Sequence, residues 1–148
     1  MNKINLIRNY LWLLLFILGS LSGCSMQLIS NQDPVSLSMI EEVAKDVDYM
    51  YTKMTYMPAD KRDYKQFSDY YLSIEVKLNA LKNRQEGRVM NELTLKQVGI
   101  VLQLWQQDRI THATKGALSN FLLKRHKEQY QRLFMALIKA ESAKPLNK

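Results

Sequence analysis

Few side chains in this sequence are of the types that carry out chemistry. The chain of 148 residues holds one cysteine, Cys24, and two histidines, His112 and His126. A thiol can be a nucleophile and an imidazole a general base or a zinc ligand, but zinc sites group three or four such ligands. The histidines are widely separated, so we expect no metal site. His126 is predicted to lie at the edge of the core, and His112 at the surface where a helix begins.

Carboxylates offer a second kind of chemistry. Glycoside hydrolysis uses two facing acids with separated pKa values, and Asp46, Asp48, Asp60 and Asp63 are the candidates. Nothing in their spacing selects a pair, and they fit the solvated faces and caps of helices. The sequence has no serine elbow and no glycine-rich phosphate loop. We therefore expect no enzyme activity, no catalytic residue, no cofactor and no small-molecule substrate.

The N-terminus has the three parts of an export signal. Lys3 and Arg8 are its only charged residues, an apolar run covers residues 10–18, and small residues follow at 19–23. The apolar run is shorter than the about 20 residues that a membrane-spanning helix needs. We therefore predict a cleaved signal peptide over residues 1–23.

The four residues Leu21-Ser22-Gly23-Cys24 resemble the lipobox of bacterial lipoproteins, in which a small residue and Gly or Ala precede the cysteine. The resemblance implies cleavage before Cys24, with diacylglycerol on its thiol and an acyl chain on its amino group. Ser25, where some lipoproteins carry Asp, resembles the signal for delivery to the outer membrane of Gram-negative bacteria. An ordinary signal peptide or an uncleaved anchor is the alternative. The expected location is the outer membrane, facing the periplasm.

Composition and charge describe the rest of the chain. Hydrophobic residues make up 47% and charged residues 24%, with only 5 Gly and 3 Pro, which favours one helical domain. Residues 24–95 hold 9 basic and 11 acidic side chains, whereas residues 96–148 hold 10 basic and 3 acidic ones. Such a basic segment in the cytoplasm would suggest nucleic acid. Export argues against nucleic acid as a partner here.

Two helical patterns come first. The first covers residues 35–57, with Asp33 as a cap or Ser38 and Glu41 as a capping box, and the second begins at Asp60 and ends near residue 84. Each repeats apolar residues at alternating spacings of three and four. The stripes are Ile40, Val43, Val47, Met50, Met54 and Met57, then Tyr64, Phe67, Tyr71, Ile74, Leu78 and Leu81. Pro58 lies between them, which predicts an αα-hairpin.

Two further patterns follow. The third starts at a capping box of Thr94 and Gln97, and its stripe is Leu95, Val98, Leu102 and Trp105. Residues 106–111 are predicted to form a turn, with Ile110 pointing inward and Thr111 as the next cap. The fourth covers residues 112–142, and Phe121 is predicted to widen its stripe of Leu118, Leu122, His126, Tyr130, Leu133, Leu137 and Ala140.

These patterns predict an all-α fold: a compact bundle of about four amphipathic helices arranged as two αα-hairpins. No alternating pattern of apolar and polar residues indicates a strand. Polar residues 24–33 lack periodicity and are predicted to be a lipidated tether, and residues 34–148 a periplasmic helical domain.

Two surfaces are candidates for binding a partner. Tyrosines flank the Pro58 turn, and Tyr49, Tyr56 and Tyr70 among them lie outside the core stripes. Tyr and Met are enriched in interface cores, although the same residues could fill the core of the bundle. The last helix carries a basic cluster, which is either a binding face or a solvated one, at Lys124, Arg125, Lys127 and Arg132.

Location and shape lead to the expected function. We expect an outer-membrane lipoprotein that acts as a non-enzymatic protein-binding adaptor or accessory factor of an envelope complex. Secretion components, pilotin-like proteins and partners of envelope sensors are of this general form, which is an analogy of class only. The alternatives are an inhibitor, immunity or exclusion lipoprotein, or a structural factor associated with the cell wall.

Overall fold

The computed structural model describes Trp12 and residues 28–146. Within them lie four α-helices, α1 (Pro34–Thr55), α2 (Tyr64–Glu86), α3 (Glu92–Lys115) and α4 (Asn120–Ser142), with a short 3₁₀ helix at Ala59–Lys61. The prediction of an all-α bundle of four helices is confirmed. The predicted signal peptide and Cys24 lie outside the described residues. No helix in the described part of the chain is long and apolar enough to cross a membrane.

The four helices form an antiparallel ring. Contacts pair the start of one helix with the end of its neighbour. Arg84 near the end of α2 binds Asp33, the cap of α1, and the ring of Tyr64 at the start of α2 lies 5.6 Å from that of His112 near the end of α3. The most extensive packing joins α1 to α4 and α2 to α3. Helix α1 also packs against α2, and α3 against α4, so both αα-hairpins are present and the first and last helices are neighbours.

The first two stripes are buried as predicted. Ile40, Val43, Val47, Met50 and Met54 fill the α1 side of the core. Asp33 caps α1 by accepting a hydrogen bond from the Val35 amide, and Pro34 occupies the first turn, where its missing N–H costs nothing. The capping box of Ser38 and Glu41 is not used.

The start of α2 differs from the prediction. The helix begins at Tyr64, and Asp63 rather than Asp60 is its cap, accepting from the Lys65 amide. The residue between the 3₁₀ helix and this cap, Arg62, is buried. Its guanidinium donates to the backbone oxygens of Met54, Met57 and Leu118 and to the side chain of Asn120. It thereby satisfies carbonyl groups at the end of α1 that have no partner inside the helix.

The predicted turn at residues 106–111 is wrong. Helix α3 begins at Glu92, without the capping box of Thr94 and Gln97, and continues through that segment to Lys115. Ile110 is exposed rather than inward. The true break is at Gly116, whose φ of +77° suits glycine. Polar residues at core positions concealed the continuing helix.

The last helix starts later than predicted. Ser119 caps α4 by accepting from the Leu122 amide, so His112 belongs to α3 and Thr111 caps nothing. Phe121 is exposed and Leu123 is buried instead, because α4 begins eight residues after His112 and its inward face is set by contacts with α1. Leu122 and Leu133 are partly buried.

The end of the predicted tether is bound to the bundle. The Ser30 amide donates to the Met90 carbonyl at 2.9 Å and the Gln32 amide to the Pro145 carbonyl at 2.7 Å. Arg84 binds the Asp33 carboxylate through two nitrogens. Residues 30–33 therefore pack against the α2–α3 loop and the end of α4.

A buried carboxylate holds this end of the bundle together. Glu141 is fully buried, and its oxygens accept from the Asp33 amide, from Arg88 at 3.0 Å and from Lys144 at 2.6 Å. Arg88 also donates to the Asn31 carbonyl. We call Asp33, Arg84, Arg88, Glu141 and Lys144 the entry cluster, because the chain enters the bundle there.

Candidate functional site

The candidate site is an open groove between α1 and α4, with a volume of about 940 Å³. Its lining is mostly apolar. Helix α1 contributes Ala44, Val47, Tyr49 and Tyr51, and α4 contributes Tyr130, Phe134, Met135 and Ile138. We call this the α1/α4 groove. It lies where the first and last helices meet on the outside of the bundle.

The floor of the groove is buried and its rim is exposed. Tyr51 and Tyr130 form the floor, with their rings stacked at 5.8 Å between centroids and almost no exposure to solvent. On the rim, Tyr49 is 59% exposed and Met135 is 55% exposed. Tyr and Met side chains of this kind are enriched in protein interfaces, and Met adapts to differently shaped partners.

The face of α4 that lies next to the groove, beyond Met135, is basic. The outward face of α4 carries Arg125, Arg132, Met135 and Lys139 at helical spacing, and the three cations form no ion pair with any other residue of the described chain. A second depression, lined in part by Arg132 and Lys139, shares Met135 with the groove. We call Arg125, Arg132 and Lys139 the basic ridge.

The four basic residues predicted from the sequence do not all lie on one surface. Arg125 and Arg132 belong to the basic ridge. Lys127 lines the groove itself, donates to Thr52 at 2.7 Å and lies 3.5 Å from the Asp48 carboxylate. Lys124 faces a separate depression and lies 3.9 Å from Glu128. The cluster predicted from sequence is therefore partly neutralised.

The predicted tyrosines also differ from one another. Tyr49 lies on the groove rim and its ring is 6.0 Å from that of Tyr70. Tyr70 is half-buried and accepts from Lys53 at 2.8 Å, and this hydrogen bond lowers the pKa of Tyr70. Tyr56 is exposed just after the end of α1 and does not line the groove. Tyr49 and Lys127 are thus the predicted residues that the groove brings together.

A buried polar network lies beneath the groove. The Asp108 carboxylate accepts from the Tyr130 hydroxyl at 2.8 Å and lies 3.0 Å from Nδ1 of His126. Since a carboxylate accepts, this nitrogen of His126 carries the proton. The Tyr51 hydroxyl lies 3.4 Å from the same nitrogen. Burial raises the pKa of Tyr51 and of Tyr130, so both hydroxyls remain protonated.

The network continues to the far end of α3. The Tyr51 and Tyr71 hydroxyls interact, and the Tyr71 hydroxyl lies 3.2 Å from Nδ1 of His112. His112 is fully buried, which contradicts the predicted surface position, and burial lowers its pKa. His126 is buried, in keeping with the predicted edge of the core. These contacts satisfy buried polar groups.

The central pair of this network is shielded from solvent. His126 and Asp108 are both nearly covered, and the groups that face them are tyrosine hydroxyls rather than an activated nucleophile. Among residues 28–146, no three His, Cys, Asp or Glu side chains are grouped so that they could hold a metal ion. The exposed α1/α4 groove is the candidate for binding.

The sequence did not indicate two residues of this site. Asp108 fell in the predicted turn, and Tyr51 lies beside the stripe of Met50 and Met54 rather than on it. A sequence signal for Asp108 existed, because it follows Trp105 by three positions and would share its helix face. Comparison of the chain with protein-family models, with curated proteins and with solved structures finds no match.

Proposed function

We propose that this protein is a lipoprotein of the outer membrane whose helical bundle acts in the periplasm as a non-enzymatic adaptor. It would bind another envelope protein and hold it near the membrane. The observation that carries the proposal is the α1/α4 groove, an exposed apolar concavity beside cations that have no partner among the described residues. Exposed apolar surfaces with polar edges are typical of protein-binding sites.

The anchor is the second part of the proposal. It rests on the lipobox residues Leu21-Ser22-Gly23-Cys24 and on multiple acyl chains, which give stable attachment where one chain gives marginal attachment. The backbone of Ser30 is bound to the bundle beside the entry cluster, through the Met90 carbonyl. Six residues from Cys24 span at most about 20 Å when extended. The entry cluster would then lie close to the membrane surface.

The orientation of the groove follows from this attachment. Helix α1 starts at the entry cluster and α4 ends there, and the groove runs along both helices from residues 41 and 138 outward. A bundle attached through residues 30–33 would present the groove along its side. This geometry suits an adaptor that holds its partner beside the bilayer.

The substitution Cys24→Ser tests the anchor. We expect the variant to be released from the membrane fraction with the same helical circular dichroism as the wild type, because Cys24 precedes every packed stripe of the bundle. Ser25→Ala is the matched control and should stay in the membrane fraction. Membrane retention of the Cys24 variant, or mass spectrometry that finds an unmodified thiol in the mature protein, would contradict the proposal.

A further inference from the structure

We infer that the α1/α4 groove binds an amphipathic helix of the partner protein, with the apolar stripe of that helix in the groove and acidic residues on the side that faces the basic ridge. This inference rests on the proposed adaptor function and adds the chemistry of the partner. It follows from three properties of the groove, which are its length, its apolar lining and the unequal charge of its two rims.

The length of the groove matches a helix. It is lined from Glu41 to Thr52 on α1 and from Lys127 to Ile138 on α4. At 1.5 Å per residue, each side measures about 17 Å, or three turns. An amphipathic helix of about that length presents anchors at positions i, i+3 or i+4, and i+7 to such a groove.

The lining of the groove supports apolar anchors. Val47, Phe134 and Ile138 line its sides, and the stacked Tyr51 and Tyr130 close its floor. The hydroxyls of these two tyrosines point to partners in the buried network. The groove therefore offers ring and methyl surface, with its strongest polar groups already engaged.

The two rims carry different charge. On α1, Glu41 and Lys45 are of opposite sign, and Asp48 is engaged by Lys127 and Gln131. On the α4 side, Arg132 and Lys139 of the basic ridge line the neighbouring depression, beyond Met135, together with Glu128. These two cations form no ion pair among the described residues, and Glu128 lies 3.9 Å from Lys124. Charge complementarity therefore places the acidic side of the bound helix toward α4. This placement fixes the rotation of the bound helix about its own axis.

Two other occupants fit the groove less well. A lipid surface is flat on the scale of the groove and would reach its rims rather than the floor at Tyr51 and Tyr130. A second copy of this chain, facing through α4, would bring one basic ridge against another, since a symmetric dimer pairs the same surface with itself. Contact with a lipid surface and contact with a second copy are alternative outcomes of the crosslinking experiment below.

The experiment is site-specific photocrosslinking of the full chain in intact cells. A benzophenone amino acid replaces Tyr49 or Met135 on opposite rims of the groove. Leu72 and Val76 on α2 are the control positions, since they are 62% and 59% exposed but lie on a different helix. We expect both groove positions to crosslink to one segment of one protein, identified by mass spectrometry, and the controls not to crosslink to it.

The sequence of the crosslinked segment decides the inference. Apolar residues at helical spacing with Asp or Glu along one flank support it. A segment with alternating or basic character, a lipid, or a second copy of this chain would overturn it. In each of those cases, a crosslink between an envelope protein and another surface of the bundle would still support the adaptor function. The absence of protein crosslinks at all four positions would overturn the adaptor function as well.

Charge reversal tests the assigned orientation. The double variant Arg132→Glu and Lys139→Glu should lower the crosslinking yield from Met135 by about tenfold, since two rim contacts change from attraction to repulsion. The matched control is Lys96→Glu with Lys115→Glu, which changes the same number of charges at exposed positions of α3. An equal loss in both double variants, or no loss in the ridge variant, would overturn the orientation.

Discussion

The carbonyl oxygen of Arg62 accepts a hydrogen bond from Nε2 of His112 at 2.8 Å. A carbonyl can only accept, so Nε2 carries the proton, and Nδ1 is left to accept from the Tyr71 hydroxyl. The neutral tautomer of His112 therefore satisfies both neighbours. Because Arg62 also caps the end of α1, this one residue joins three elements at the end of the bundle opposite the entry cluster.

The first prediction concerns pH and His112. Burial keeps the pKa of His112 in the folded protein below its ordinary value of 6.5, so the unfolded chain binds the proton more readily. The free energy of unfolding should therefore decrease as the pH falls through 6.5 and level off below the folded-state pKa. Urea denaturation of the wild type and of His112→Gln measures this decrease, which should be smaller in the variant.

The wild type and His112→Gln must be compared because the chain holds a second histidine, His126. His126 is present in both, so the difference between the wild type and His112→Gln isolates the contribution of His112. The variant should also be less stable at neutral pH by about 1–3 kcal/mol, because a buried hydrogen-bonding group is altered. Identical pH dependence in the two proteins would contradict the lowered pKa of His112 in the folded state.

The second prediction concerns Asp108 in the buried network. Asp108→Ala removes the acceptor of the Tyr130 hydroxyl and of His126 Nδ1. We expect a loss of about 2–4 kcal/mol in the free energy of unfolding, since two buried donors lose their partner. Asp69→Ala is the control, because Asp69 is exposed on α2, and it should change stability by less than about 0.5 kcal/mol. Similar small losses in both variants would show that the network contributes little.

The third prediction concerns the entry cluster. Glu141→Gln keeps the size of the side chain but removes the charge that faces Arg88 and Lys144. Breaking a buried ion pair from one side costs about 3–5 kcal/mol, because the remaining cations lose their counter-charge. The control is Glu86→Gln, which removes one partner of the exposed pair with Lys82 and should cost less than about 1 kcal/mol. Thermal unfolding of the two variants would distinguish these costs.

The fourth prediction uses Asp33 in the same cluster. The hydrogen bond from Arg84 lowers the pKa of Asp33 from its ordinary value of 3.8. A carboxyl group with a lowered folded-state pKa stabilises the protein above its unfolded pKa and loses that effect as the pH falls. The stability difference between the wild type and Asp33→Asn should therefore be constant near neutral pH and shrink below 3.8. A difference that persists unchanged in acid would show that the effect does not depend on the charge of Asp33.

The apolar stripes show what a sequence of this kind reveals. The spacing of Ile40 to Met54 and of Phe67 to Leu81 was sufficient to predict two helices and their buried faces, because each core position is apolar. The same reasoning failed at Asp108 and His112. They occupy core positions on α3, but they are polar. Their burial depends on partners elsewhere in the fold, Tyr130 and His126 for Asp108, and Tyr71 and the Arg62 carbonyl for His112. Spacing along one helix does not reveal such partners.

The candidate site was foreseen in its parts and not as a whole. Tyr49 and Lys127 were predicted on separate helices as two possible surfaces. Their approach to one groove depends on the packing of α1 against α4, which the stripes do not determine, since any of several neighbours would bury them equally. The basic cluster predicted from the sequence differs from the basic ridge in the same way, because it lacks Lys139 and includes Lys124, which is engaged by Glu128.

The entry cluster also governs how the bundle responds to mechanical force. Residues 30–33 are bound to the α2–α3 loop, to α4 and to Arg84 at the end of α2 before the chain enters α1. A pull on the chain ahead of residue 30 is therefore distributed over α2, α3 and α4 before α1 can peel away. Several hydrogen bonds must therefore break before such a pull reaches the first turn of α1.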